Sequence, residues 1–286
     1  MPAKATLDWI EGSTEDFTED ENILAKLASK LTGLDTGAWH SDKAFNRYKL
    51  CVRHQSGVQV LSGTRGNGTH LIASGQAITD LADHGISQMQ FIITLEDNGI
   101  RPTRYDLALD CTNMGLNPSA LHRQFLKGQA ETKARTPYLI RSGQDGLTLY
   151  VGAQQSDRHL RMYNKAAEVK NKARVPVDVK NWVRIELVMM REFARFAHDS
   201  ITTVGIDVAT RSHIKEFVHW PTDRRYMRAV SGPVSEVGKS TRTITNTQEW
   251  LLSVVARTVA KQSIADADFL GRFLGRVKAD LDELKD

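Results

Sequence analysis

Residues 104–110 read Arg-Tyr-Asp-Leu-Ala-Leu-Asp. Side chains along a strand alternate between its two faces. One face of this stretch therefore carries Arg104, Asp106, Ala108 and Asp110, and the other carries Tyr105, Leu107 and Leu109. Two later stretches repeat the pattern. In 159–165, His159, Arg161, Tyr163 and Lys165 oppose Leu160, Met162 and Asn164. In 182–188, Trp182, Arg184 and Glu186 oppose Val183, Ile185 and Leu187. Each stretch offers an apolar face to a core and charged groups at alternate positions on the other. Amphipathic strands of a sheet solvated on one side would show the same pattern without any chemistry.

The residue types point further. Two aspartates and one glutamate are hard oxygen donors, and on neighbouring strands they could hold one Mg²⁺ or Mn²⁺. Phosphodiester transfer needs a nucleophile, a cation at the non-bridging oxygen and help for the leaving oxygen. Tyr163 could supply the nucleophile and Asp106, Asp110 and Glu186 the cation. A free tyrosine titrates near about 10, so a cation or base must assist it at neutral pH. Lys165, two residues on, could do so. Arg161 and Arg184 could grip flanking phosphates.

Working outward, the N-terminal part reads as a strand over 5–10 and a helix through about Leu31. That helix opens on an apparent capping box, with Thr18 as N-cap and Glu21 three residues on, and closes near Gly33. Strands follow over 47–54, 58–62 and 69–73, joined by glycine turns. Gly66 and Gly68 lie between strands, so they belong to a turn and not to a phosphate loop. Helices are expected over 76–84 and 86–98, and again over 118–126. A strand pair over 138–141 and 147–151 precedes the Tyr163 stretch. A helix through Met190, Phe193, Phe196 and Ala197 follows the Glu186 stretch. Residues 230–245 have a linker composition. Gly238-Lys-Ser240 resembles the end of a Walker A loop, but Pro233 stands where that motif needs glycine. Apolar residues at helical spacing mark two C-terminal helices over 247–261 and 265–284.

The 286 residues are enough for one large domain or two. Hydrophobic residues at 41% and charged residues at 25% exclude a disordered chain or a disulfide scaffold. No apolar run reaches the roughly 18 residues of a membrane span. Cys51 and Cys111 form no CxxC motif, and a reduced cytoplasmic protein is expected. The charge is uneven. Residues 1–22 hold one base and seven acids, and the rest holds 37 bases and 27 acids. Between Ser119 and Arg174 there are 11 Lys or Arg and four acids. That run, with Tyr163 inside it, suits a polyanion such as nucleic acid, although a solvated surface carries such charge too.

At these residues the chain resembles the replication initiation factor family of rolling-circle plasmids, filamentous phages and related conjugative elements. The matching stretches begin with 7–10 (Leu-Asp-Trp-Ile), 70–76 (His-Leu-Ile-Ala-Ser-Gly-Gln) and 103–110. They continue, in family order, with 148–156, 160–165 and 182–187. The resemblance implies an α+β fold: a large curved antiparallel β-sheet with helices packed on one side, here followed by a C-terminal helical segment. With the linker composition and the C-terminal helical spacing, the expected division is a nicking domain at 1–230, a linker at 231–246 and a helical segment at 247–286. The activity the resemblance implies is DNA nicking and strand transfer. A tyrosine attacks one strand at an origin, stays bonded to the 5′ phosphate and frees a 3′ hydroxyl for priming, and a carboxylate-held Mg²⁺ or Mn²⁺ assists. Tyr163 takes the nucleophile's place with Lys165 beside it, and Asp106, Asp110 and Glu186 that of the metal ligands. Arg104, Arg158, Arg161, Arg184, Lys170 and Lys172 are the expected DNA contacts. The implied partners are single-stranded or supercoiled origin DNA, the host helicase and replication machinery, and a second copy of the chain, with no membrane.

Some features depart from the family pattern. Ala77, Ile78 and Thr79 follow Ser-Gly-Gln where relatives often carry glycine and a base, and the N-terminus is too short for the helix-turn-helix of many relatives. No His-hydrophobic-His motif supports the other common class of rolling-circle nickase. His40, His54, His122 and His219 read as surface or packing residues. Tyr150 is the rival nucleophile, and Tyr105 reads as core. A non-catalytic DNA-binding regulator on the same fold would use the same basic face without a metal. A water-activating nuclease would leave no protein on the DNA end.

Overall fold

The computed structural model describes residues 3–132, 134, 137–142, 146–173, 181–232, 263, 266 and 268–283. The chain divides into two compact units, Met1–Val237 and Gly238–Asp286. The alternating stretches are strands, and the first unit is built on them. In chain order the strands are β1 (Lys4–Thr14), β2 (Trp39–Ser41), β3 (Leu50–His54), β4 (Gln59–Ser62), β5 (Thr69–Ser74) and β6 (Arg101–Thr112). Then come β7 (Glu131–Thr132), β8 (Pro137–Ser142), β9 (Gly146–Val151), β10 (Arg158–Asn164), β11 (Trp182–Met190) and β12 (Val218–His219). Ten of them form one open sheet in the order β2-β3-β4-β5-β1-β6-β11-β10-β9-β8. Every pairing in it is antiparallel. β7 and β12 make a separate pair.

The apolar strand faces meet the helices. The helices of the first unit are α1 (Glu21–Thr32), α2 (Gly75–Asp80), α3 (Gln88–Asp97), α4 (Pro118–Leu126), α5 (Lys165–Ala173), α6 (Glu192–Val204), α7 (Ile206–Phe217) and α8 (Arg224–Val230). Leu24 and Leu31 of α1, Phe91 and Leu95 of α3, Ala197 and Ile201 of α6 and Ile214 of α7 share one buried cluster with Leu107, Leu109, Ile185, Leu187, Leu160 and Met162. Burial of such side chains contributes roughly 1.5–3 kcal/mol each. The helix-covered face is the core, which leaves the charged face of the same strands turned away from it. In the second unit the described element is one helix, α9 (Phe269–Glu283).

Local chemistry sets the boundaries. Asp20, not Thr18, caps α1: its carboxylate accepts from the Asn22 and Ile23 amides, while the Thr18 hydroxyl is turned onto the Asp20 backbone. The capping box forms instead at α3, between Ser87 and Gln90. Gly33 ends α1 at φ 72°, a left-handed conformation that glycine adopts without strain. The helix expected over 76–84 breaks after Asp80 into a 3-10 turn. β2, α7 and α8 are additional to the elements expected from the sequence. The inferred linker and the helix over 247–261 lie outside the described residues. No helix among the described residues is long and apolar enough to cross a membrane.

Candidate active site

Register brings the three stretches side by side. β11 lies between β6 and β10. Tyr163 stands opposite Arg184, and Arg184 opposite Asp110. On the next row Arg161 stands opposite Glu186, and Glu186 opposite Ala108. The shared period of two therefore collects Tyr163, Arg161, Arg184, Glu186, Asp106 and Asp110 on the face turned away from the core.

The contacts are dense. The Tyr163 hydroxyl donates to Glu186 Oε2 at 3.1 Å. Arg161 is ion-paired with the other oxygen of Glu186 and lies 4.0 Å from Asp106. Arg104 holds Asp106 with two bonds of 2.8 and 2.7 Å. Arg184 holds Asp110 in the same way, at 2.8 and 2.7 Å, and also pairs with Asp8. The Trp182 indole donates to Asp110 at 2.7 Å. Bidentate guanidinium–carboxylate pairs of this kind fix orientation as well as charge.

Burial governs the electrostatics. Asp106 and Glu186 are both 0% exposed. Burial drives the Glu186 carboxyl up to about 7, with Asp8 and Asp106 adding to the rise against the pull of Arg161. Burial also raises Asp106, although Arg104 and Arg161 oppose it. Burial raises the Tyr163 phenol, as do Glu186 and Glu168, and Arg184 works the other way. Burial is the first cause of both carboxyl shifts, and each acid of the face is met by an arginine. Those acids are hard oxygen donors, engaged in this structure by the arginines rather than by one another. Among the described residues no three Asp, Glu, His or Cys side chains already converge as ligands. Arg161 lies between Asp106 and Glu186 instead, and Arg184 between Asp8 and Asp110.

The remaining expected residues fall in different places. Lys165 is not on the strand. It opens α5, pairs with Glu168 at 2.7 Å and places its ammonium 5.7 Å from the Tyr163 ring centre. The strand ends at Asn164, whose side-chain oxygen accepts from the Ala167 amide and starts the helix. Arg158 pairs with Glu216 and stacks over Phe193 at 4.2 Å, toward the end of β10 away from Tyr163. Lys170 is exposed on α5, and the Lys172 side chain lies outside the described residues. Tyr105 is core, bonded to His198 at 3.0 Å. Cys51 and Cys111 are free and buried.

Asp8 belongs to this site, and strict alternation hides it. β1 carries a bulge between Leu7 and Trp9, so the register against β6 slips there. Leu7 and Ile10 are both buried, three residues apart, where period two would put them on opposite faces. A bulge adds one residue and re-aims a side chain, and here it turns Asp8 onto Arg184. Gly75 makes room: a β-carbon there would lie 2.6 Å from Asp8 Oδ1. Farther along β1, Glu11 accepts from Trp9 at 2.6 Å and meets His70 at 3.4 Å. Arg104 lies 5.0 Å over the Trp9 ring. The two apolar residues three apart in 7–10 were the available signal for the bulge.

In architecture the chain is similar to a rolling circle replication initiator protein from Geobacillus stearothermophilus. The likeness has a TM-score of 0.61 at 17% identity and covers 82% of this chain and 93% of that one. Residues 101–277 match the replication initiation factor family, and the chain belongs to that family. That span takes in β6, β10 and β11 and stops short of Asp8 on β1. No curated protein matches the chain.

Proposed function

We propose that this chain starts rolling-circle replication by nicking one strand of an origin and holding the new 5′ end. The observation that carries the reading is the Tyr163 hydroxyl on Glu186, flanked by Arg161 and Arg184. Family membership and the architecture of the Geobacillus initiator support it. In the reaction the Tyr163 oxygen attacks a backbone phosphorus. A tyrosyl O–P bond forms, the P–O3′ bond breaks, and the 3′ oxygen leaves and takes up a proton. The phenolic proton passes to Glu186 Oε2, the acceptor it already faces. Arg184, opposite Tyr163 in register, favours the phenolate, and Lys165 adds positive charge beside the ring once it leaves Glu168. The phosphotyrosine keeps the energy of the broken bond, so a later 3′ hydroxyl can reverse the step and rejoin the strand.

Asp106, Asp110 and Glu186 are the acids that would hold Mg²⁺ or Mn²⁺ once Arg104, Arg184 and Arg161 release them, with Glu186 a ligand before it takes up the phenolic proton and not afterwards. Bound there, such an ion supplies Lewis-acid stabilisation of charge on the phosphate oxygens. Arg104, Arg158, Arg161, Arg184, Lys170 and Lys172 provide the positive field for origin DNA, the host helicase unwinds the duplex from the nick, and the replication machinery extends the freed 3′ hydroxyl. The test is a denaturing gel of the protein with labelled single-stranded origin DNA and Mn²⁺. A labelled band at the size of the protein is expected. Cleavage that leaves every DNA end free of protein would overturn the tyrosine mechanism.

A further inference from the structure

Tyr138 and Tyr150 have no part in that mechanism. They stand directly opposite each other on β8 and β9, the last hairpin of the sheet. Their rings stack at 5.0 Å between centres with 8° between planes. Leu149 and Val151 of the same hairpin are wholly buried in the core, so Tyr150, between them, points to the other face. That is the face of Arg161 and Glu186, and the register runs on without a break: Tyr138 to Tyr150, Tyr150 to Arg161, Arg161 to Glu186. Both rings are only half-buried.

A cross-strand aromatic pair does stabilise a hairpin. That accounts for two rings meeting, but not for their place at the end of a row of arginine and carboxylate. Neighbouring strands lie about 4.8 Å apart, so Tyr150 is about one strand and Tyr138 about two strands beyond β10. The separation matches the step between a phosphate and a nearby base of an extended single strand. Aromatic faces accept any base, and adjacent arginines hold the backbone.

We propose that the Tyr138–Tyr150 pair is a subsite for an unpaired nucleobase beside the phosphate attacked by Tyr163. Its location rests on the reading of Tyr163 as nucleophile, but base binding itself needs no cleavage. The pair orders the flanking strand across the sheet, selects single-stranded over duplex DNA, and does not read sequence.

The test uses the full chain carrying Tyr163→Phe, with fluorescence anisotropy as the readout. The probes are an oligothymidylate of about 16 nucleotides, an abasic deoxyribose-phosphate oligomer of the same length, and a duplex. The chain should bind the oligothymidylate more tightly than the abasic oligomer. Adding Tyr138→Leu and Tyr150→Leu should weaken oligothymidylate binding by about fivefold or more and leave abasic binding unchanged. Tyr150→Phe should keep the affinity. A separate Tyr150→Trp variant retains a stacking ring, and the emission it adds to that of the five native tryptophans of its parent should be quenched by oligothymidylate and not by the abasic oligomer. An undiminished preference for bases in the leucine variant, or equal quenching by both oligomers, would overturn the subsite. Neither readout involves strand cleavage, so a failed adduct assay and a failed subsite remain distinguishable.

Discussion

Glu186 meets two groups at once: one oxygen accepts from Tyr163 and the other is paired with Arg161. Replacing it with glutamine keeps the shape and removes the acceptor charge. Glu186→Gln is therefore expected to abolish Mn²⁺-stimulated nicking while leaving oligonucleotide affinity within a fewfold of the parent, measured side by side on gels and by anisotropy. Arg184 has a different weight. It is 7% exposed and answers both Asp8 and Asp110. Removing one partner of a buried ion pair leaves charge uncompensated, so Arg184→Met should lower stability by about 3–5 kcal/mol in urea titration. At this scale much of the site could be read from the sequence. Asp106, Arg161, Tyr163, Arg184 and Glu186 share a face because a strand has period two, and nothing interrupts that period within 158–164 or 182–190. Asp8 could not be read so, because the bulge at 7–9 breaks the alternation. Which acid each arginine takes was also hidden, since that depends on register between segments far apart in the chain.

Among the elements, β1 shows how a local irregularity serves the site. Its bulge aims Asp8, and Gly75 at the start of α2 clears the space for it. Gly75→Ala should push the Asp8 carboxylate off Arg184 and slow nicking, visible as adduct formation that falls further than the accompanying loss of melting temperature accounts for. The packing of α6 against α7 carries a pH dependence. His213 is buried, its Nε2 is 3.1 Å from the Ser200 hydroxyl, and burial, with the Arg158 charge, pushes it down to about 4. The folded state thus binds fewer protons than the unfolded state between about 4 and 6.5. Stability should therefore fall as pH drops through that window, by roughly 3 kcal/mol in total. His213→Gln should flatten that part of the stability curve. The strands and α1, α3 and α4 were legible from their apolar spacing. Lys165 reads as strand in the sequence and opens α5 in the structure, because its i+2 spacing from Tyr163 looks the same whether the chain continues as a strand or turns into a helix at Asn164. Thr18 and Asp20 both suit the cap of α1, and only backbone geometry gives the role to Asp20.

For the whole molecule, one sheet serves both purposes: one face is the core, and the other carries the acids, arginines and phenol. Antiparallel order puts β6, β11 and β10 together although their segments lie far apart in sequence. Sequence alone could not show that adjacency, which the register of β11 with β6 and β10 establishes; the match over 101–277 bears out the family resemblance. The charge distribution at this scale sets binding. The affinity for single-stranded DNA should fall linearly with salt on logarithmic axes, with a slope of about 0.7 for each phosphate neutralised. Exposed Lys170 is a candidate contact, and Lys170→Ala should reduce that slope by about 0.7.

The most direct measurement is peptide mapping of the covalent protein–DNA product formed with labelled single-stranded origin DNA and Mn²⁺. The nucleotide should be found on the peptide containing Tyr163, bonded through a 5′ phosphate, and no product should form with Tyr163→Phe. A nucleotide on Tyr150 or any other residue, or a product that survives Tyr163→Phe at the parent rate, would contradict the account.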